Sequence, residues 1–290
     1  MKPVIGERMP EQITRLGGGL MNDTFKVSSR GESWVLRVFS QGAEVVAKEA
    51  ALLEMVKGHV PVAAPVHVDL GSAYTISPFI AGDRLVDTLH AATTAQQLGH
   101  TAGQTLGRIH HFSFNAIGFF DANLDVPKPL GGVGEVWRSY LATCLFEGRS
   151  GQRMGEDLLA HTWKFVGENG SRLDALDDDY RLIHADYKPT NLLVADGQIS
   201  AVLDWEFAWS GCKLFDIGQL FRWEHRYPPD FHQGFEAGYR EEQDLPHDWL
   251  ALARALDLLN LVGFLDDAED RPVLFSDVLT LIQRQLESTL

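Results

Sequence analysis

The chain has 290 residues, 45% of them hydrophobic and 22% charged, which is enough for a sizeable buried core and argues against global disorder. Its formal net charge is −15, so a phosphate backbone would be repelled and nucleic acid is not an expected partner.

Residues 12–16 alternate as a short strand and run into Gly17-Gly18-Gly19, which a strand interior does not accommodate without cost. Residues 24–27 alternate again, 28–32 carry turn chemistry, and 33–39 form the strongest strand pattern, so the pair is predicted to be a hairpin. A helix is predicted over 43–57, with Val45, Val46, Leu52, Leu53 and Val56 at helical spacing and Gly58 as its stop. Two short strands follow at 66–69 and 74–77, and 78–82 leads out of the sheet.

Beyond this point the period becomes helical, over 94–111, 136–146 and 157–166, with a Gly/Pro-rich loop over 121–134. A short buried strand at 181–183 precedes a polar loop from His184 to Asn191. Residues 192–194 and 199–203 flank Asp196-Gly197, a strong hairpin signal. The remainder is mainly helical, including 249–265 and 273–286. The fold class is therefore α+β, with a small β-rich lobe over residues 1–80 and a larger, mainly helical lobe over 81–290.

The two cysteines, Cys144 and Cys212, form neither a CxxC pair nor a zinc-spaced cluster, and a reducing compartment suits them. No apolar run approaches the roughly 18 residues of a membrane span, and the first residues lack a signal-peptide core. A cytoplasmic protein without a membrane partner is expected, as monomer or homodimer.

The chemistry concentrates in His184-Ala185-Asp186-Tyr187-Lys188-Pro189-Thr190-Asn191 and in Asp204-Trp205-Glu206 after the hairpin. Phosphoryl transfer asks for one carboxylate to orient or accept the proton of a hydroxyl. It also asks for hard oxygen ligands for Mg²⁺, and for positive charge near the γ-phosphoryl. Asp186 and Asn191 lie five positions apart on one loop, and the hairpin can fold Asp204 back beside them. The plainer alternative makes Asp186 and Asn191 turn residues and Asp204 a helix cap.

These segments resemble the aminoglycoside phosphotransferase family, whose relatives include choline, homoserine and other small-molecule kinases. The loop is close to the family's HGDxxxxN, Val202-Leu203-Asp204-Trp205-Glu206 to its IDWE motif, and Leu214-Phe215-Asp216-Ile217-Gly218 to its next aspartate motif. The resemblance covers most of the chain and fades after about Arg222. It implies a protein-kinase-like bilobal fold, with a nucleotide-binding lobe at 1–80 and a catalytic and substrate-binding lobe at 81–290. It implies an ATP- or GTP-dependent, Mg²⁺-assisted O-phosphotransferase with Asp186 as base and Asn191 and Asp204 as metal ligands. His184 and Asp216 would organise the loop.

The sequence also departs from that pattern. Ala185 replaces the usual glycine, which matters little if its φ is negative. Lys188 stands where histidine is frequent, and from this loop it could reach the γ-phosphate and the attacking oxygen, which makes it a second catalytic candidate. In the first lobe, Gly18, Gly19 and Asn22 suit close backbone approach to phosphates. Arg37 takes the place of the phosphate-contacting lysine, with Glu49 as partner and Glu44 as the alternative. Ser77 and Ile80 bound the expected adenine hinge.

The last fifty residues are rich in acids, among them Glu241, Glu242, Asp248, Asp257 and Asp266. Lining a cleft, they would suit a cationic small molecule such as an aminoglycoside, choline or a homoserine-like acceptor; as helix faces they would simply be solvated. Trp205, Trp209, Phe221, Trp223, Tyr227 and Tyr239 could stack on an acceptor, although core positions are the better expectation for most. A protein kinase-like regulator is disfavoured by the absence of an evident activation segment ending in APE. A nucleotide-binding pseudokinase is disfavoured by intact Asp186, Asn191 and Asp204.

Overall fold

The amino-terminal strands pair as their alternation predicts. In a computed structural model, which describes residues 10–17, 22–89, 92–177 and 179–288, Gln12–Arg15 (β1), Asn22–Ser29 (β2), Glu32–Phe39 (β3), His67–Asp69 (β4) and Tyr74–Pro78 (β5) form one sheet. Its order is β1-β2-β3-β5-β4, antiparallel throughout. Ser29 pairs with Glu32 across Arg30-Gly31, both with positive φ (51° and 80°), the backbone a two-residue type I′ hairpin needs. Ala43–Val56 (α1) buries Val46, Leu52, Leu53 and Val56. Leu52, Leu53 and Val56 belong to the same continuous apolar cluster as Tyr187 and Leu192 of the second lobe.

The chain leaves the sheet through residues 79–82. Asp83–Arg84 (β6) then pairs with Leu192–Ala195 (β9), which pairs with Gln198–Val202 (β10). Asp196 and Gly197 link β9 to β10 with φ of 51° and 73°, the hairpin their sequence announces.

The rest is mainly helical: Leu85–Thr88 (α2), Ala92–Ile109 (α3), Val133–Ala142 (α4, running into a π-helical turn at Thr143–Glu147), Ser150–Met154 (α5), Glu156–Asp174 (α6), Leu214–Phe221 (α7), Pro229–Arg240 (α8), Trp249–Leu265 (α9) and Pro272–Ser288 (α10). A third small sheet joins Gly118–Phe119 (β7), Tyr180–Ile183 (β8) and Trp209–Cys212 (β11) in the order β7-β11-β8. Strands β6, β7 and β11 are two to four residues long, too short for periodicity to declare.

Helices α3 and α8 pack unusually close because glycine lines both sides. A Cβ at Gly103 would lie 2.1 Å from the Phe235 carbonyl oxygen, and one at Gly238 would lie 2.0 Å from that of His100. Both helix backbones touch there, and no side chain fits between them. The close crossing seats Phe231, Phe235 and Tyr239 in the core, and it sets His110, just past the end of α3, against Tyr239 and Asp216.

Candidate active site

Two strands fix the frame of the site. β8 leads into the loop that starts at His184, and β11 follows the segment that carries Asp204. Trp209 pairs with Ile183 and Ser210 with Leu182, so the chain enters one loop and leaves the other side by side.

The loop from His184 to Asn191 closes on itself. Asn191 Nδ2 donates to the Asp186 carbonyl (3.0 Å) and to its Oδ2 (2.7 Å), while Lys188 Nζ pairs with Oδ1 (2.8 Å). The Asp186 side chain remains 23% exposed, open to a reactant. Leu203 N–H donates to the Asn191 carbonyl (2.9 Å), so the residue before Asp204 is tied to the loop. The His184 ring makes a second tie. Its Nδ1 accepts from the Asp186 N–H (3.2 Å), which leaves Nε2–H to donate to the Leu203 carbonyl (2.9 Å). Burial keeps this imidazole below its usual pKa, and the neutral ring suits both bonds.

Asp216, near the start of α7, anchors the loop from below. Its carboxylate accepts the N–H groups of His184 and Ala185, both at 2.8 Å, and Gln219 one turn later donates to the Ala185 carbonyl (2.7 Å). His110, at the end of α3, also donates to Asp216 (Nε2 to Oδ2, 3.2 Å), because a carboxylate only accepts. Its Nδ1 then accepts from the Tyr239 hydroxyl (2.7 Å). Burial lowers the His110 pKa and so favours this neutral tautomer.

Ala185 corrects a sequence expectation. Its φ is +63°, in the left-handed region, where alanine is strained and glycine is not. The three bonds from Asp216 and Gln219 hold it there. Asp204 is left-handed as well, at 60°.

From the first sheet, Arg37 on β3 donates to Glu49 Oε1 (Nη1, 2.9 Å) and to Glu206 Oε2 (Nη2, 2.9 Å), and lies 3.6 Å from Asp204 Oδ1. Of the two partners expected for Arg37, Glu49 makes this contact. Asn22 Nδ2 also donates to Glu206 Oε2 (2.6 Å), and Lys48 Nζ to the Glu206 carbonyl (2.7 Å). Burial pushes the Glu49 carboxyl up to about 7, against the pull of Arg37, and its Oε2 is buried without a donor. Ser77 lies in the β3–β5 ladder opposite Val35, and Ile80 is half-buried beyond it; neither side chain is hydrogen-bonded to the cluster among the described residues. Gly18 and Gly19 lie outside the described residues.

Sequence reading named Asp186, Lys188, Asn191, Asp204, Arg37, Glu49 and Asn22, and the structure gathers them into two bonded groups, Asp186 with Lys188 and Asn191, and Arg37 with Glu49, Asp204 and, through Glu206, Asn22, which the Leu203 bond to Asn191 joins. It gave Glu206 and Lys48 no role and passed over His110 and Gln219. Glu206 had a signal in its motif; the others act through partners distant in sequence. Trp205, Phe221 and Tyr239 are core, while Trp209, Trp223 and Tyr227 are half-buried.

Among the described residues no three His, Cys, Asp or Glu side chains group as a metal site. The available donors, the Asn191 amide oxygen and the Asp204 carboxylate, nevertheless suit Mg²⁺, which takes few protein ligands and completes its shell with water and phosphate oxygens. Because Asn191 Nδ2 is fixed on Asp186, its oxygen stays available; the Asp204 side chain is 45% exposed.

A two-lobed kinase-like fold with an Asp/Asn loop and an Arg–Glu pair has the layout of a phosphotransferase. The chain matches the model of the phosphotransferase enzyme family (APH) over residues 12–253, and it belongs to that family. Its fold is similar to that of a thermostable mutant of aminoglycoside phosphotransferase APH(4)-Ia in ternary complex with AMP-PNP and hygromycin B (TM-score 0.72, 19% identity, covering 99% of this chain and 96% of that one). It is also similar to APH(2")-IIia in complex with GDP and kanamycin (TM-score 0.77, 18% identity, 100% and 97% covered). A third similar structure is the macrolide 2'-phosphotransferase MphH from Brachybacterium faecium (TM-score 0.65, 18% identity, 93% and 91% covered). No curated protein matches by sequence.

Proposed function

We propose that this protein transfers the γ-phosphoryl group of ATP or GTP to the hydroxyl of a small molecule, with Asp186 as base. The observation that carries the reading is the Asp186 carboxylate, held between Lys188 Nζ (2.8 Å) and Asn191 Nδ2 (2.7 Å) and still partly exposed. The similar structures with bound AMP-PNP, GDP, hygromycin B and kanamycin support a nucleotide and a hydroxylated acceptor in the same cleft.

In this reading Asp186 orients the acceptor hydroxyl and takes its proton as the O–P bond forms. Lys188, held beside it, offers positive charge to the transferring group. Arg37 contacts phosphate oxygens, and Glu49 and Glu206 fix its direction. Asn22 and the glycines before it shape the nucleotide loop, and Ser77 to Ile80 present backbone groups to the base. Asn191 and Asp204 hold Mg²⁺, whose charge offsets that of the nucleotide phosphates. The protein works in the cytoplasm, with the first lobe binding nucleotide and the second the acceptor.

The test is Mg²⁺-dependent ADP or GDP release, measured over a panel of hydroxylated acceptors. Asp186→Asn should lower the acceptor-dependent rate at least about a hundredfold, the scale of a lost general base, while nucleotide affinity changes little. Wild-type-like turnover in that variant would refute the base assignment.

A further inference from the structure

The residue just before Asp186 is an alanine in a backbone conformation that suits glycine. Ala185 has a φ of +63°, where a Cβ crowds the following carbonyl and glycine meets no such contact. A strained residue of this kind persists only where its surroundings over-determine it.

Ala185 joins two peptide planes, and side chains of α7 grip both. Asp216 holds the plane before it: its Oδ1 accepts the Ala185 N–H, and its Oδ2 accepts the N–H of His184 one plane earlier, both at 2.8 Å. Gln219 holds the plane after it, between Ala185 and Asp186, where Nε2 donates to the Ala185 carbonyl at 2.7 Å. The other edge of that second plane, the Asp186 N–H, has a longer bond of 3.2 Å to His184 Nδ1. The two planes are rigid, and the φ and ψ of Ala185 are the only soft angles between them. Asp216 fixes one plane and leaves the other free to turn.

Gln219 makes its bond at the expense of its own oxygen. A carbonyl only accepts, so the amide nitrogen must face Ala185 and Oε1 must point elsewhere. Oε1 is buried and has no donor among the described residues, in a residue only 7% exposed. A buried acceptor without a donor destabilises a fold. Packing alone would favour an apolar side chain here, as at Ile217, Leu220 and Phe221, all buried on the same helix.

We propose that Gln219 is a positioning residue for phosphoryl transfer, which keeps Ala185 left-handed and so aims the Asp186 carboxylate. The inference deepens the phosphotransferase reading and rests on the role given there to Asp186. It makes Gln219 necessary because residue 185 is alanine; glycine would hold the same conformation with less help. Without the amide, Ala185 relaxes toward negative φ, the Ala185–Asp186 plane turns, and the carboxylate leaves Lys188 and Asn191.

The test is Gln219→Met, close in volume, made in the full chain with and without Ala185→Gly. Deuterium exchange of the amides from His184 to Asn191 needs no turnover, and it should quicken roughly fivefold in Gln219→Met. For acceptor-dependent ADP or GDP release, kcat should fall roughly tenfold while nucleotide KM stays within about twofold. The thermal midpoint should change little, because one bond and one unpaired oxygen are lost together. Gln219→Asn, which keeps the amide but is a methylene too short, should behave in the same way. In the Ala185→Gly background, Gln219→Met should change exchange and kcat by less than about twofold. A residue that merely fills the core would give equal losses in both backgrounds. Wild-type loop exchange in Gln219→Met, or equal losses with alanine and with glycine at 185, would overturn the proposal. If exchange responds as expected and no acceptor supports turnover, Gln219 still positions the loop and the phosphotransferase reading is what fails.

Discussion

Two residues carry much of the local tension. Ala185 is left-handed only because Asp216 and Gln219 hold its backbone, so Ala185→Gly should relieve strain of about 1 kcal/mol, partly offset by the extra freedom of glycine in the unfolded chain. Denaturant midpoints should then be equal or higher in the glycine variant, whereas Ala185→Val should lower them. Glu49 makes stability depend on pH. Its carboxyl is raised from 4.5 to about 7, chiefly by burial, so the folded state binds a proton that the unfolded chain has already released. Stability from this group is complete below about pH 4.5 and is lost as pH rises through about 7. Glu49→Gln should therefore flatten the fall in unfolding free energy between about pH 5 and 8, measured by urea denaturation against wild type.

The decisive element pair is α3 with α8. Gly103→Ala places a methyl group against the Phe235 carbonyl, where backbone must move, and should destabilise the protein by roughly 1–3 kcal/mol. Activity should fall beyond the loss expected from unfolding alone, because the same crossing sets His110 and Tyr239 under Asp216. Thermal denaturation and the rate at full nucleotide saturation, measured together, check both parts. Short α7 is buried along its whole length because it is held from two sides: Asp216 and Gln219 bind the His184–Ala185 segment, while Gly218 packs on the Ala253 carbonyl of α9 and Arg222, just past the helix, pairs with Asp257.

At the scale of the molecule, Glu206 links the lobes. Asn22 and Arg37 donate to its side chain and Lys48 to its carbonyl, so β2, β3 and α1 of the first lobe all meet one residue beside Asp204. Glu206→Ala should leave Arg37 shared between Glu49 and Asp204 and loosen closure. Nucleotide KM should rise roughly tenfold, equivalent to about 1.4 kcal/mol, with a smaller change in kcat. An unchanged KM would mean that lobe closure does not depend on this contact.

The sequence by itself determined the elements and the inventory of chemistry. Periodicity marked α9 and most of the sheet, Asp196-Gly197 marked its hairpin, and the spacing of Asp186, Asn191 and Asp204 marked the loop, because these signals are local in the chain. Only the tertiary structure decided what supports that inventory. The left-handed Ala185, the His110–Asp216 bond, the hub at Glu206 and the burial of Asp257 against Arg222 depend on residues 31, 106, 169 and 35 positions apart, respectively. No periodicity encodes such distances. They are set by how closely helices can approach and by the cost of leaving buried polar groups without a partner.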